Sequence, residues 1–301
     1  MNSSEEPTKT YRIVKYSLLI FTLAFFLLAG SQVLNSTLSV SGKAKKLPIY
    51  CVDTEEKKVA LSFDAAWGNE DTRNLLAILK KHDVRVTFFM TGEWVGKYPD
   101  DVKAIAAAGH DLANHSENHK QMSQLTAEQC RTEIRKVHDR IKELTGVEMT
   151  LFRPPYGDYN NTLVEVTNEL GYHCVQWDVD SLDWKDYGAD SIINTVVNHK
   201  HLGNGSIILM HNGAKYTPEA LEAVILGLKE KGYTIVPISE LIYTENYEMD
   251  HEGRQHLKDS VTPSGTTGGS TTVTPTGTPS TIPTVTPVSQ ITAAQGRSRA
   301  A

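Results

Sequence analysis

VALSFDAAWGNEDTRNLLAILKKHDVRVTFFM, residues 59–90, carries the repeating unit of the fold. An apolar run, Val59–Phe63, ends on Asp64; an amphipathic stretch, Asp71–His82, follows; a second apolar run, Val86–Met90, closes the segment. Strand-length apolar runs separated by a helix-length amphipathic segment form a β-α-β unit, and its two strands lie parallel because a helical crossover returns the chain in the same direction. Outward from it the alternation continues. Further strand candidates are Asp111–His115, Thr150–Arg153, His173–Trp177, Ser206–Met210 and Tyr233–Ile238. Helix candidates are Pro99–Ala108, Ala127–Leu144, Asn161–Leu170, Ser191–His199 and Pro218–Lys231. The fold class is therefore α/β with a parallel sheet. Seven or so strands either close as a barrel or form an open doubly wound sheet, and the pattern by itself leaves both open.

The 301-residue chain divides by composition into five parts. Residues 1–16 are expected to be a cytoplasmic N-terminus. Residues 17–38 form an apolar segment preceded by Lys9, Arg12 and Lys15, the pattern of a transmembrane anchor or a cleaved signal segment. An anchor puts the following domain outside the cell membrane; cleavage would make it secreted. Residues 39–56 read as a polar linker, 57–242 as the folded domain, and 243–301 as a tail whose Thr/Pro/Ser/Gly-rich portion buries too little apolar surface to fold. The net charge of -6, with no basic stripe, argues against nucleic acid as a partner. Cys51, Cys130 and Cys174 are odd in number and lack metal-knuckle spacing, so they form neither a disulfide framework nor a zinc knuckle.

The polar residues that interrupt the apolar runs fall at their C-terminal ends. Asp64 follows the first strand, His115 closes the third with His119 just beyond, and Arg153 ends the fourth. Asp178 and Asp180 follow the fifth, and His211 the sixth. Parallel α/β folds gather these strand ends on one face, so residues far apart in sequence converge there. HSENH, residues 115–119, sets two imidazoles four apart, a spacing able to hold one divalent cation but common by chance. RPPYG, residues 153–157, is either a rigid loop closing a strand or an Arg that orients a carboxylate beside a main-chain oxyanion donor. Asp64 reads equally as a helix N-cap, and His211 as a buried, satisfied histidine or a general acid.

Together these motifs resemble the NodB-type polysaccharide deacetylases, carbohydrate esterase family 4. SFD (62–64), HSENH (115–119), RPPYG (153–157), DSLDW (180–184) and LMH (209–211) stand in the family's order across roughly residues 57 to 242. The resemblance implies a distorted (β/α)7-type barrel and a divalent metal, zinc or alternatively cobalt. It implies Asp64 as base, His115 and His119 as metal ligands, Arg153 orienting Asp64, and the Tyr156 N–H facing the oxyanion. His211 would be the acid and Asp183 would tune it, while Trp184 and Leu209 would shape the pocket for the acetyl methyl. The implied function is a hydrolase acting on carbon–nitrogen bonds other than peptide bonds. It would remove N-acetyl groups from cell-wall glycan, on N-acetylglucosamine or N-acetylmuramic acid units of peptidoglycan, without an obligate protein partner.

One position departs from the family. The second carboxylate after the base, normally the third metal ligand, is Ala65 in SFDAAWG. Asp71 and Glu70 are the nearest acidic residues able to compensate. The departure keeps two other readings open: a catalytically weakened glycan-binding protein, and a related hydrolase acting on chitin or acetylated xylan.

Overall fold

The computed structural model describes residues 14, 16–25 and 44–258. Residues 16–25 are helical. Among the described residues no helix is long and apolar enough to cross a membrane. The rest of the expected anchor, residues 26–38, and residues 259–301 of the expected tail lie outside the described residues.

Among the described residues eleven strands run in chain order as β1 (Cys51–Val52), β2 (Lys58–Ala65), β3 (Thr87–Met90), β4 (Asp111–Asn114), β5 (Leu151–Phe152), β6 (His173–Cys174), β7 (Val179–Asp180), β8 (Ile207–Asn212), β9 (Thr234–Val236), β10 (Tyr247–Met249) and β11 (Arg254–Leu257). The helices of the folded region are α1 (Thr72–Lys81), α2 (Gly92–Lys97), α3 (Pro99–Ala107), α4 (Ala127–Thr145), α5 (Asn161–Glu169), α6 (Ala189–Val197), α7 (Thr217–Glu230) and α8 (Ile238–Leu241). Their ends follow local chemistry. Thr126 and Gln129 form a reciprocal capping box at the start of α4, which ends on Gly146 in the left-handed region. Thr91 and Asn160 cap α2 and α5 through their side-chain oxygens.

The main sheet is parallel, in the order β6-β5-β4-β3-β2-β8-β7, with β9 beside the first half of β2. It curls into an incomplete barrel rather than a closed one. Its ends, β6 and β7, are only two residues long and do not pair with each other. At the β6 edge the chain just before β1 takes a strand's place, Ile49 bridging Val175, while Cys51 of β1 bridges Ser206 immediately before β8.

Period-two alternation assigns each strand residue to one of two layers. Val59, Leu61 and Phe63 of β2, Phe88 and Met90 of β3, and Ile208 and Met210 of β8 join the larger core, which also takes in Leu75 and Leu79 of α1 and Val224 and Leu228 of α7. Ala60, Phe89, Ala113, Leu151, Val175 and Ile207 form a second apolar cluster, completed by Val236 and Ile238. Moving up the inner face from this plug, the same rows continue as Ser62 and Asp64, His115, Arg153, Trp177, and Leu209 and His211. The inner cluster is therefore the floor on which polar side chains stand.

The folded region exceeds the expected limits of 57–242. β1 pairs parallel with β11, and β11 pairs antiparallel with β10. Buried Gln255 ties this small sheet to the body: its Oε1 accepts from Tyr243 N at 2.9 Å, and its Nε2 donates to Tyr243 O at 2.7 Å. These elements lie in segments that read as linker and tail because each strand is only two to four residues long and too short to print a pattern. The three cysteines are buried and free.

Candidate active site

β2 and β8 lie side by side in a register that makes Asp64 and His211 direct partners. These two residues form the axis of the site, and each is gripped from one side.

Arg153, at the end of β5, holds Asp64. Its Nη1 donates to Asp64 Oδ1 at 2.7 Å, and its Nη2 donates to Ser62 Oγ at 2.8 Å and to Gln176 O at 3.2 Å. The guanidinium is fully buried and lies 4.0 Å from the centre of the Phe89 ring. Burial alone would raise the Asp64 carboxyl. The charges of Arg153, His115 and His211, with the Arg153 hydrogen bond, outweigh burial and hold it below its ordinary value. Asp64 is thus an ionised, oriented carboxylate and not the N-cap of α1, a place taken by Asp71.

Asp183 holds His211. His211 donates from its backbone N to Asp183 Oδ2 and from Nδ1 to Asp183 Oδ1, each at 2.7 Å. Thr217 Oγ1 adds a 2.6 Å hydrogen bond to Oδ2. Burial disfavours the imidazolium, but the hydrogen bond and charge of Asp183, with Asp64 and Asp180, bring His211 above its ordinary value. Its Nε2 is left to face the cavity.

The two histidines of HSENH sit beside Asp64. His115 Nδ1 lies 2.8 Å from Arg153 O, which assigns the proton to Nδ1. Its Nε2 then presents a lone pair 3.5 Å from Asp64 Oδ2. Burial pushes His115 down to about 4, so no proton relieves that pair at neutral pH. The His119 ring is 4.9 Å from that of His115 and 4.5 Å from that of Tyr156. Ser116, His119 and Tyr156 all have positive φ, an uncommon conformation for residues with side chains. The loop is held there from α4: Glu133 accepts from Asn118 N and Nδ2 and from Lys120 Nζ, and Arg140 pairs with Glu117.

These groups line one cavity of about 530 Å3, whose walls include Trp67, Tyr156, Trp177, Trp184 and Leu209. Every residue proposed from the sequence lies in this site: Asp64, His115, His119, Tyr156, Trp184, Leu209 and His211 line the cavity, while Arg153 and Asp183 stand directly behind Asp64 and His211.

A profile described as Polysaccharide deacetylase matches residues 52–175. The uncharacterized protein YlxY of Bacillus subtilis is 38% identical over 195 residues, covering 65% of this chain and 60% of that protein, less than two thirds of its length. The peptidoglycan-N-acetylmuramic acid deacetylase PdaA of Bacillus subtilis is 33% identical over 225 residues, covering 73% of this chain and 82% of PdaA. The chain belongs to the polysaccharide deacetylase family. Among solved structures, a family 4 pseudoenzyme from Bacillus anthracis matches at 35% identity and a TM-score of 0.62, over 65% of this chain and 68% of that one. A mutant pseudoenzyme of the family, described as having restored enzymatic activity, matches at 36% identity and 0.62, over 65% and 71%.

Polysaccharide deacetylases generally depend on a metal. His115 and His119 supply two imidazoles, and the His115 lone pair facing a carboxylate oxygen is an arrangement a cation relieves. The set therefore fits a divalent ion, with two nitrogen ligands. Ala65 is fully buried and offers no donor. Asp71 does not compensate: its carboxylate accepts from Gly213 N at 2.8 Å and from Asn212 Nδ2 at 3.1 Å. With Glu70 it lines a different cavity. Among the described residues no group of three or more His, Cys, Asp or Glu is arranged to hold a metal ion.

Sequence reasoning overlooked four residues of this deacetylase-family site. Trp177 follows from strand parity, since Val175 and Trp177 share the inner face. Glu133, inside an amphipathic helix, and Thr217, at a helix start, carry no local signal of their roles. Trp67 stacks on His211, with ring centres 4.9 Å apart and planes 17° apart; only its place in the altered first motif could have drawn notice.

Proposed function

We propose that this chain is an extracytoplasmic, membrane-anchored N-deacetylase of peptidoglycan, acting on N-acetylglucosamine or N-acetylmuramic acid units. The observation that carries the reading is the opposed pair on adjacent strands: Asp64 gripped by Arg153 and held below its ordinary value, and His211 gripped by Asp183 and held above its own. Amide hydrolysis needs a group that accepts a proton from water and another that protonates the departing amine. Asp64 takes the first part. His211 takes the second, donating from Nε2 while Asp183 stabilises the imidazolium. Water adds its oxygen to the acetyl carbon, the C–N bond breaks, and acetate and a free sugar amine leave. The Tyr156 N–H stabilises the developing oxyanion, and Trp184 and Leu209 receive the acetyl methyl.

Zinc, or cobalt in its place, would be held by His115 and His119, and when bound would polarise the amide carbonyl and acidify water. The apolar N-terminal segment supports a location outside the membrane, beside the wall. The test is mass spectrometry of peptidoglycan fragments incubated with the purified chain, with and without added zinc. Fragments that lose acetyl groups support the reading and identify the sugar; unchanged fragments under both conditions sink it.

A second reading, a glycan-binding protein without turnover, is favoured by Ala65 and by the likeness to a pseudoenzyme. It requires glycan binding with no acetate released at any metal concentration.

A further inference from the structure

The residue that accompanies the lost metal carboxylate is Trp67. Its indole lies nearly parallel to the His211 imidazole, with ring centres 4.9 Å apart and an interplanar angle of 17°. The main chain around it is braced. Gly68 O accepts from Trp94 Nε1 and from Asn212 Nδ2, each at 3.1 Å. Gly213, at φ +91°, lets this turn lie against the end of β8, where a Cβ would come within 3.3 Å of Trp67 Cβ. One indole face is covered by the imidazole, yet the residue remains 48% exposed, so the exposure falls on the opposite face and the edge.

The other aromatic walls are engaged differently. Lys185 Nζ sits 4.9 Å from the Trp184 ring centre, and the Tyr156 ring meets His119. Trp67 therefore offers a flat, fixed, apolar surface beside the group that faces the sugar amine. Pyranose rings present apolar C–H faces, and a rigid indole binds such a face with little loss of conformational freedom.

We propose that Trp67 has two contacts in this protein: one indole face fixes the His211 imidazole, and the other stacks against a pyranose ring of the glycan. This rests on the glycan substrate class proposed above, but not on turnover or on a bound metal. The altered first motif then exchanges a metal donor for a sugar platform, and binding of the chain to glycan is largely independent of metal.

The test uses the full chain, chitotetraose and EDTA, with binding measured by calorimetry. The wild type binds; Trp67→Leu weakens binding about five- to tenfold, and Trp67→Phe weakens it less. In carbon-13 histidine-labelled protein, the His211 Cε1–H resonance, assigned by its absence in His211→Gln, moves downfield in Trp67→Leu and less in Trp67→Phe, because an overlying ring shields it. Loss of general stability would not produce this graded pair of effects. Wild-type-like binding by Trp67→Leu, an unmoved His211 resonance, or a wild type that binds no chitotetraose each overturns the proposal. Acetate release is read in parallel with zinc present. Its absence, with the binding and resonance effects intact, removes the deacetylase reading and leaves the Trp67 assignment standing.

Discussion

His211 and Asp64 are shifted in opposite directions, so the competent pairing spans a wide pH interval. The form with Asp64 ionised and His211 protonated is lost as pH falls through the lowered Asp64 value or rises through the raised His211 value. Asp183→Asn removes the charge that holds the imidazolium. The alkaline limb of the rate profile is expected to move to lower pH by about one unit or more, measured as acetate release against pH. Thr217→Val should move it in the same direction by less. His211→Ala is expected to abolish turnover while zinc titration remains unchanged, whereas His119→Ala should remove zinc binding; equal loss of both functions in His211→Ala would place His211 among the ligands. Asp64, Arg153 and His211 were legible because each stands where an apolar run ends. Thr217 was not, because its hydroxyl acts across a long stretch of intervening sequence, through Asp183, and a threonine before Pro218 reads as an ordinary helix start.

At the scale of elements, α4 supports the loop that carries His115 and His119. Glu133 is buried and accepts three hydrogen bonds from Asn118 and Lys120. Glu133→Ala strands these donors and is expected to cost about 1–3 kcal/mol in denaturant unfolding, with weaker zinc binding. An unchanged zinc titration would separate the strap from the site. All seven strands anticipated from apolar runs are present, because each buries enough side chain to print a pattern. β7 pairs one apolar residue, Val179, with Asp180 between Asp178 and Ser181 and so leaves none, and the six-residue α2 is set by Thr91 capping rather than by periodicity. β2 carries both messages at once: its outer residues anchor the core, and its inner residues end in Asp64.

For the whole molecule, the sequence left open whether the sheet closes, since closure depends on its terminal strands and each of these is only two residues long. It also misjudged where the folded region stops. A chain ending at Ile242 loses β10, β11 and the buried Gln255, and is expected to lose on the order of 2 kcal/mol or more relative to one ending at Lys258. Thermal unfolding of the two decides this; equal midpoints would make the small sheet dispensable.

The bridge from Ile49 to Val175 has a consequence for self-association. Ile49 donates to Cys174 O and accepts from Gln176 N, so the polar groups of the β6 edge are spent within the molecule. A protease cutting within residues 44–52 would leave Asp64 and His211 untouched but uncover a sheet margin able to recruit a second chain. Such a fragment would be expected to aggregate before it lost its chemistry. The few residues leading into β1 thus act as a guard on solubility.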